Sequence, residues 1–411
     1  MSGCGCDGHG LKPVDEALAE LLARAPAPPA VESVALADAL GRVLASDLEA
    51  PCDLPHWDNS AMDGYALRAA DVPAGGGSLA LAGCIAAGEA GDQALPAGCA
   101  VRIFTGAPLP PGADSVVAQE DCRAEGDRVW LPAVALGSHV RRRGEELRQG
   151  APLLRAGLRL RPQELGLLAA VGQARVPVYR RLRVCLLSSG DELREPGQTL
   201  APGQIYNANR FSLGALLRQW GLDVQEYEVL VDTLAASRDA LELAAAECDV
   251  LISSGGVSVG ERDHLKQAVG ALGELHLWRL AMQPGKPLAF GSVAGKPWLG
   301  LPGNPAAALV TALVAARPFL RRAQGLAETA LAPLNLPAAF AWPQPNKRRQ
   351  YLRARLATDA SGASRVEIHP QQGSAMLLAA SWADGLAVVE AGRTLAAGEP
   401  VAYLPFSELY G

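Results

Sequence analysis

Four short loops concentrate the residues able to do chemistry: Ser188-Ser-Gly-Asp-Glu192, Ser253-Ser-Gly-Gly-Val-Ser-Val-Gly260, Gln283-Pro-Gly-Lys-Pro287 and Leu301-Pro-Gly-Asn-Pro305. In the second, Gly255 and Gly256 let the backbone close on a ligand, and Ser253, Ser254 and Ser258 add hydroxyls. A helix following Gly260 presents unpaired N–H groups, so the loop suits a phosphate or another oxyanion. It is neither a Walker A loop nor G-x-G-x-x-G. Lys286 supplies a point charge and Asn304 an amide; with Ser253, Gly255, Gly256, Ser258 and Gly260 they form the expected substrate-binding set. Asp191, Glu192, Asp232, Glu261 and Asp263 accompany these loops, and oxygen ligands beside a phosphate are how Mg²⁺ is usually held. Any one of these acids alone also reads as a helix cap or a first-turn charge.

Three further segments lie outside this group. Asn59-Ser-Ala-Met-Asp-Gly-Tyr65 and Arg102-Ile-Phe-Thr-Gly-Ala-Pro108 each contain a strong turn signal, at Asp63-Gly64 and Thr105-Gly106. Arg141, Arg142 and Arg143 stand ahead of Glu145 and Glu146, a run able to hold an anion or to edge a solvated strand. Near the start, Cys4, Cys6 and His9 are soft donors, but three ligands without a second pair fall short of a zinc site. The 1–10 segment therefore reads as a disordered glycine-rich tail.

These loops need elements to hold them. Strand-like and helical runs alternate through 180–328, with strands at 183–187, 224–231, 249–253, 275–280 and 287–293. Helices are expected at 209–220, 236–247, 261–269 and 305–320. Alternation implies a largely parallel sheet covered on both faces, with ligands outside the carboxyl ends of its strands. Val14, Leu18, Leu21 and Leu22 put a helix at 13–25, and a second short helix is expected at 36–45. Short strands dominate 52–146 and return in 329–411, the latter fitting a small β-barrel or sandwich. The expected organisation is a discontinuous N-terminal unit (11–51 and 147–179), an inserted β-rich unit (52–146), an α/β unit (180–328) and a C-terminal β-barrel (329–411). A length of 411 residues with 49% hydrophobic and 19% charged residues excludes overall disorder. The net charge of −6 argues against a nucleic-acid binder. No run approaches the roughly 18 apolar residues of a membrane helix. Eight cysteines are too sparse for a disulfide framework, and a soluble, reducing, cytoplasmic setting is expected.

Taken together the segments resemble one family. SAMDGYA (60–66), RIFTGAP (102–108), RRRGE (141–145), SSGDEL (188–193), SSGGVSVGERD (253–263), PGKP (284–287) and GLPGNP (300–305) are similar, in order, to the molybdopterin molybdenumtransferases. These are the bacterial MoeA proteins and their relatives, the gephyrin E domain and the plant Cnx E domain. The resemblance runs from about residue 11 to 411. It implies an elongated homodimer of four-domain subunits: a helical elongated N-terminal domain, an inserted β-rich domain, a MogA-like α/β molybdopterin-binding domain and a C-terminal β-barrel. It implies cleavage of adenylylated molybdopterin with AMP release and insertion of molybdate, assisted by Mg²⁺, in a cleft shared between subunits. The implied catalytic residues are Asp63, Thr105, Glu192, Asp232 and Asp263, with Glu192, Asp232 and Asp263 as metal ligands. Arg141, Arg142, Arg143 and Glu146 would contact substrate, and Lys286, Arg353 and Ser374 molybdate. The implied partners are the molybdopterin adenylyltransferase and downstream cofactor-maturation proteins, with no nucleic acid and no membrane.

The sequence departs from the family pattern at Gln283 and Arg279, where lysines are common, at Ala307, where a serine is, and at Glu146, usually Asp. Losing a cation and a hydroxyl is expected to weaken molybdate capture, with the chemistry intact, or to shift that capture onto Lys286 and Arg353. Two rival readings remain at this level, a molybdopterin adenylyltransferase and a molybdopterin-binding scaffold without turnover. The flanking β units and SAMDGYA argue against the first, and the retained acids against the second.

Overall fold

The computed structural model describes residues 10–231, 233–256, 264–359 and 362–411. Cys4, Cys6, His9, Asp232, Ser258, Gly260, Glu261 and Asp263 lie outside the described residues.

Val184, Cys185, Leu186 and Leu187 are all buried, as a strand sandwiched between two helical layers requires. Side chains alternate across a strand, so Val184 and Leu186 join one apolar cluster while Cys185 and Leu187 join another. Strands Asp223–Glu226, Arg183–Ser188, Val250–Ser254 and Lys296–Leu301 lie side by side and parallel. Pro287–Val293 and Leu275–Arg279 extend the sheet antiparallel. Helix Ala208–Gln219 covers one face through Leu213, Leu216 and Leu217. Helices Leu234–Glu247 and His264–Leu272 cover the other through Leu241, Leu265 and Val269.

The structure corrects several expectations. Lys296–Leu301, unread in the sequence, is an inner strand of the sheet. It folds back from Pro287–Val293 through Ala294 and Gly295, with φ of 48° and 77°, the backbone a two-residue hairpin demands. Because Pro287–Val293 runs backwards, its first residue, and the PGKP loop before it, lie at the same edge as the carboxyl ends of the parallel strands. The strand expected at 224–231 spans only Asp223–Glu226. The short helix expected at 36–45 is one 3₁₀ turn, Leu36–Asp38, after which Val43 and Leu44 bridge Arg159 and Val178. Cys185 and Cys248 form a disulfide, Cα–Cα 5.9 Å, which the cysteine count did not signal. They meet because Cys248 closes the helix that leads into Val250–Ser254, the neighbour of the Cys185 strand.

Strand Val31–Ala35 pairs with Arg175–Tyr179, joining segments on either side of the β-rich region. That region holds a six-stranded sheet in the order Ser115–Ala118, Gly64–Leu67, Cys99–Ile103, Gly77–Ile85, Arg128–Leu131, Arg123–Glu125. Near the C-terminus, Arg349–Thr358, Gly385–Val389, Pro400–Pro405 and Leu334–Pro337 pair successively, and Ser364–Ile368 adds to Arg349–Thr358. A bridge between Ala338 and Val366 brings the two ends of this curved sheet together.

One apolar cluster runs through three of these regions. Val14 and Leu21 of helix Val14–Ala23, Leu301 and Phe319 of the α/β unit, and Tyr351, Leu386 and Leu409 of the C-terminal unit belong to it. Each such side chain contributes about 1.5–3 kcal/mol on burial, so the joint is a core and not a hinge. Two polar ties lock it. Trp220, 1% exposed, donates to the Leu409 carbonyl at 2.8 Å. Arg349 grips Asp15 with two N–H groups at 2.9 and 2.8 Å and Glu390 at 2.7 Å.

Candidate active site

At the carboxyl edge of the parallel strands the loops enclose a cavity of about 900 Å³. Ser254, Gly255 and Gly256 follow one strand, Pro302, Gly303 and Asn304 another, and Gln283–Pro287 comes from the reversed strand. Close approach explains the glycines. At Gly255, φ +87°, a Cβ would lie 2.8 Å from the Ser189 carbonyl oxygen. At Gly285, φ +102°, it would lie 2.2 Å from Thr311 Oγ1. Asn209 ties two loops together, donating to Ser254 Oγ at 2.7 Å and to the Gly303 carbonyl at 2.8 Å. Its Oδ1 and the Nδ2 of Asn207, both on the cavity wall, are buried without a partner. Sequence reasoning missed these two asparagines, although Asn207 is a recognisable N-cap, accepting from Arg210 N at 3.2 Å.

The C-terminal unit supplies the remaining wall: Arg348, Gln372, Gly373, Ser374 and Ala375. Asn304 Nδ2 donates to Ser374 Oγ at 3.0 Å, and Ala307 N to the Ser374 carbonyl at 2.9 Å. Arg353 stands behind this wall. It is 1% exposed and donates to the Gly373 carbonyl at 3.0 Å, while its Nε and Nη1 have no partner. Burial pulls its pKa down to about 10, so it remains a cation at neutral pH. A buried cation with no anionic partner beside a polar cavity gives that side of the cavity a positive pole. Lys286 and Arg348 are the cations lining the cavity among the described residues, and Glu192 the carboxylate. Ser253 is fully buried under the floor, its Oγ unpaired.

Glu192, Gly255, Gly256, Lys286, Asn304 and Ser374 thus share one cavity, with Arg353 behind it. Asp63, Thr105, Arg141, Arg142, Arg143 and Glu146 do not line it. Asp63 and Thr105 form their own cluster, Asp63 Oδ1 accepting from Thr105 N at 2.8 Å and from Thr105 Oγ1 at 2.7 Å. Those bonds hold the Asp63 pKa below the usual carboxylate range. Arg102 lies over the rings of Tyr65 and Phe104 beside it, at 5.1 and 5.0 Å. Arg142 and Arg143 are engaged internally, with Asp58 and Asp53, each at 2.6 Å. Arg141 and Glu146 are exposed. No group of three or more His, Cys, Asp or Glu able to hold a metal occurs among the described residues, and no helix among them is long and apolar enough to cross a membrane.

Comparison with known proteins fits this geometry. A family described as the MoeA N-terminal region (domain I and II) matches residues 12–172. A probable molybdopterin binding domain matches 185–322, and the MoeA C-terminal region (domain IV) matches 335–406. A Haemophilus influenzae protein named molybdopterin molybdenumtransferase is 36% identical over 408 residues, covering 97% of this chain and 99% of its own length. A Nostoc protein of the same name is 42% identical over 306 residues, covering 72% and 70%. The crystal structure of a molybdopterin biosynthesis MoeA protein from Pyrococcus horikoshii superposes with a TM-score of 0.78 at 30% identity, covering 97% of this chain and 99% of that one. Whole-length identity and a whole-length fold match leave one assignment: the chain belongs to the molybdopterin molybdenumtransferase, or MoeA, family.

Proposed function

We propose that this protein inserts molybdenum, taken up as molybdate, into adenylylated molybdopterin, with cleavage of the phosphoanhydride and release of AMP. The observation that carries the reading is the cavity at the strand ends, with the Arg353 guanidinium, two of its nitrogens unpartnered, buried behind it. Glycine loops bring backbone close to a diphosphate, and Lys286 offsets its charge. Ser374, held by Asn304, and Arg353 form the pole that takes the tetrahedral dianion molybdate. Thr105 keeps Asp63 ionised and aimed.

Mg²⁺ fits this arrangement through Glu192. Magnesium commonly keeps several waters and takes one or two carboxylates plus substrate phosphates, and Glu192 lines the cavity where those phosphates would sit. When bound, the ion would neutralise phosphate oxygens as the anhydride breaks. Asp232 and Asp263 are the further proposed ligands.

Among the described residues, the Asp63–Thr105 cluster does not line the cavity at the strand ends, so the proposal includes a homodimer in which a second copy delivers it. Trp57, Met62 and Phe104 are exposed in the segments that carry the cluster, as an interface face would be. Such an enzyme works in the cytoplasm between a molybdopterin adenylyltransferase and proteins that mature the finished cofactor.

The test is incubation of purified protein with adenylylated molybdopterin, molybdate and Mg²⁺. AMP release that requires molybdate, and product that activates an apo-molybdoenzyme, are expected. Absence of AMP release would overturn the reading.

A further inference from the structure

The seam between the α/β and C-terminal units carries three consecutive cations, Lys347, Arg348 and Arg349, and they have different fates. Arg349 is neutralised by Asp15 and Glu390. Lys347 is exposed and does not line the cavity. Arg348 is half-buried in the cavity wall, and its side chain makes no hydrogen bond or ion pair to a described residue.

Its backbone, by contrast, is pinned on both sides. Arg348 N donates to Asn346 Oδ1 at 3.0 Å, and its carbonyl accepts from Gln350 Nε2 at 2.7 Å. The next residue, Arg349, donates to the Ala281 carbonyl at 2.8 Å, and Met282–Gln283 pairs in parallel with Arg349–Gln350. Asn346 reaches on to Gln283 Oε1 at 3.4 Å, and Gln283 itself lines the cavity. A rigid backbone thus holds a free guanidinium against the cavity, opposite no carboxylate of its own unit. A purely structural arginine at this seam would be paired, as Arg349 is.

We infer that Arg348 is a substrate-binding residue, closing with Lys286 on a tetrahedral oxyanion: molybdate itself or the phosphate of molybdopterin. This rests on the function proposed above. A guanidinium offers paired N–H donors to two oxygens at once, which the Lys286 ammonium cannot do.

The experiment titrates full-length protein by calorimetry with sodium molybdate alone and, separately, with molybdopterin. Arg348→Ala and Arg348→Gln should weaken at least one titration about tenfold or more, as expected for losing a charge-assisted forked contact. The affected arm names the anion, and in turnover KM for that ligand should rise while kcat holds. Arg348→Lys should recover part of the loss, and Lys347→Ala none of it should incur. Thermal midpoints should stay close to the parent value, because the side chain makes no hydrogen bond or ion pair to a described residue. Parent-like affinity of both Arg348→Ala and Arg348→Gln in both arms would overturn the inference and leave the proposed function standing. Parent protein that binds neither probe would overturn both.

Discussion

Arg353 shows what a single residue can be asked to bear. Its guanidinium is taken out of water, given one carbonyl partner, and left with two nitrogens, Nε and Nη1, unanswered. An isolated buried charge opposes folding, and its pKa, pulled down to about 10, expresses that opposition. In the window between that value and the ordinary arginine pKa the unfolded chain binds more protons than the folded one. Stability therefore gains from this residue's relief only as pH rises through that window, far above neutrality. Arg353→Met should accordingly leave the thermal midpoint unchanged or raised, while molybdate affinity falls about tenfold or more. A lowered midpoint with intact affinity in titrations would assign Arg353 to structure instead. The charged residues also show where sequence reading stops. Arg353 was legible through its resemblance to a known pattern, whereas nothing in the sequence singled out Arg348 from the cations on either side of it. Arg142 and Arg143 looked available for a ligand, and only the fold reveals Asp58 and Asp53 beside them. A sequence gives the sign of each charge but not its partner.

At the scale of an element, the PGKP loop depends on one missing methyl group. Gly285 sits at φ +102° against Thr311, fully buried in helix Pro305–Thr311, whose Oγ1 has no partner. Gly285→Ala must either distort that φ or push the loop off the helix, carrying Lys286 away from the cavity. The expected loss is about 1–3 kcal/mol of stability in urea melts, with a rise in KM for the pterin substrate. Adding Thr311→Ala removes the obstructing oxygen but not the φ strain, so the double variant should regain part of the activity and less of the stability. A double variant as inactive as Gly285→Ala would show that the contact is not what positions Lys286. The loops themselves were readable because Gly, Pro and Ser punctuate them whatever the tertiary context. The strand Lys296–Leu301 was not. Its six residues include Pro297 and Gly300, which weaken the strand signal, and its place in the sheet follows from pairing with Val250–Ser254, a long-range fact. The supposed helix at 36–45 failed for the same reason: bridges from Val43 and Leu44 to Arg159 and Val178 override local propensity.

At the scale of the whole molecule, two chemically equipped clusters occupy separate places in one chain. Glu192 lines the cavity, and Asp63 with Thr105 does not. If the β-rich unit of a second copy completes the site, each active site draws Asp63 from one subunit and Glu192 from the other. Complementation separates this from a site built within one chain. Asp63→Asn and Glu192→Gln homodimers should each be inactive. In a heterodimer of the two, one site would carry both substitutions and the other neither. Random pairing of equal amounts makes half the dimers mixed, each with one intact site, so co-expression should restore about one quarter of parental AMP release. In a site built within one chain, every site of every dimer keeps one substitution, and co-expression restores nothing. Restored activity confined to the mixed dimer, isolated with two different affinity tags, would therefore establish that the cavity functions between subunits.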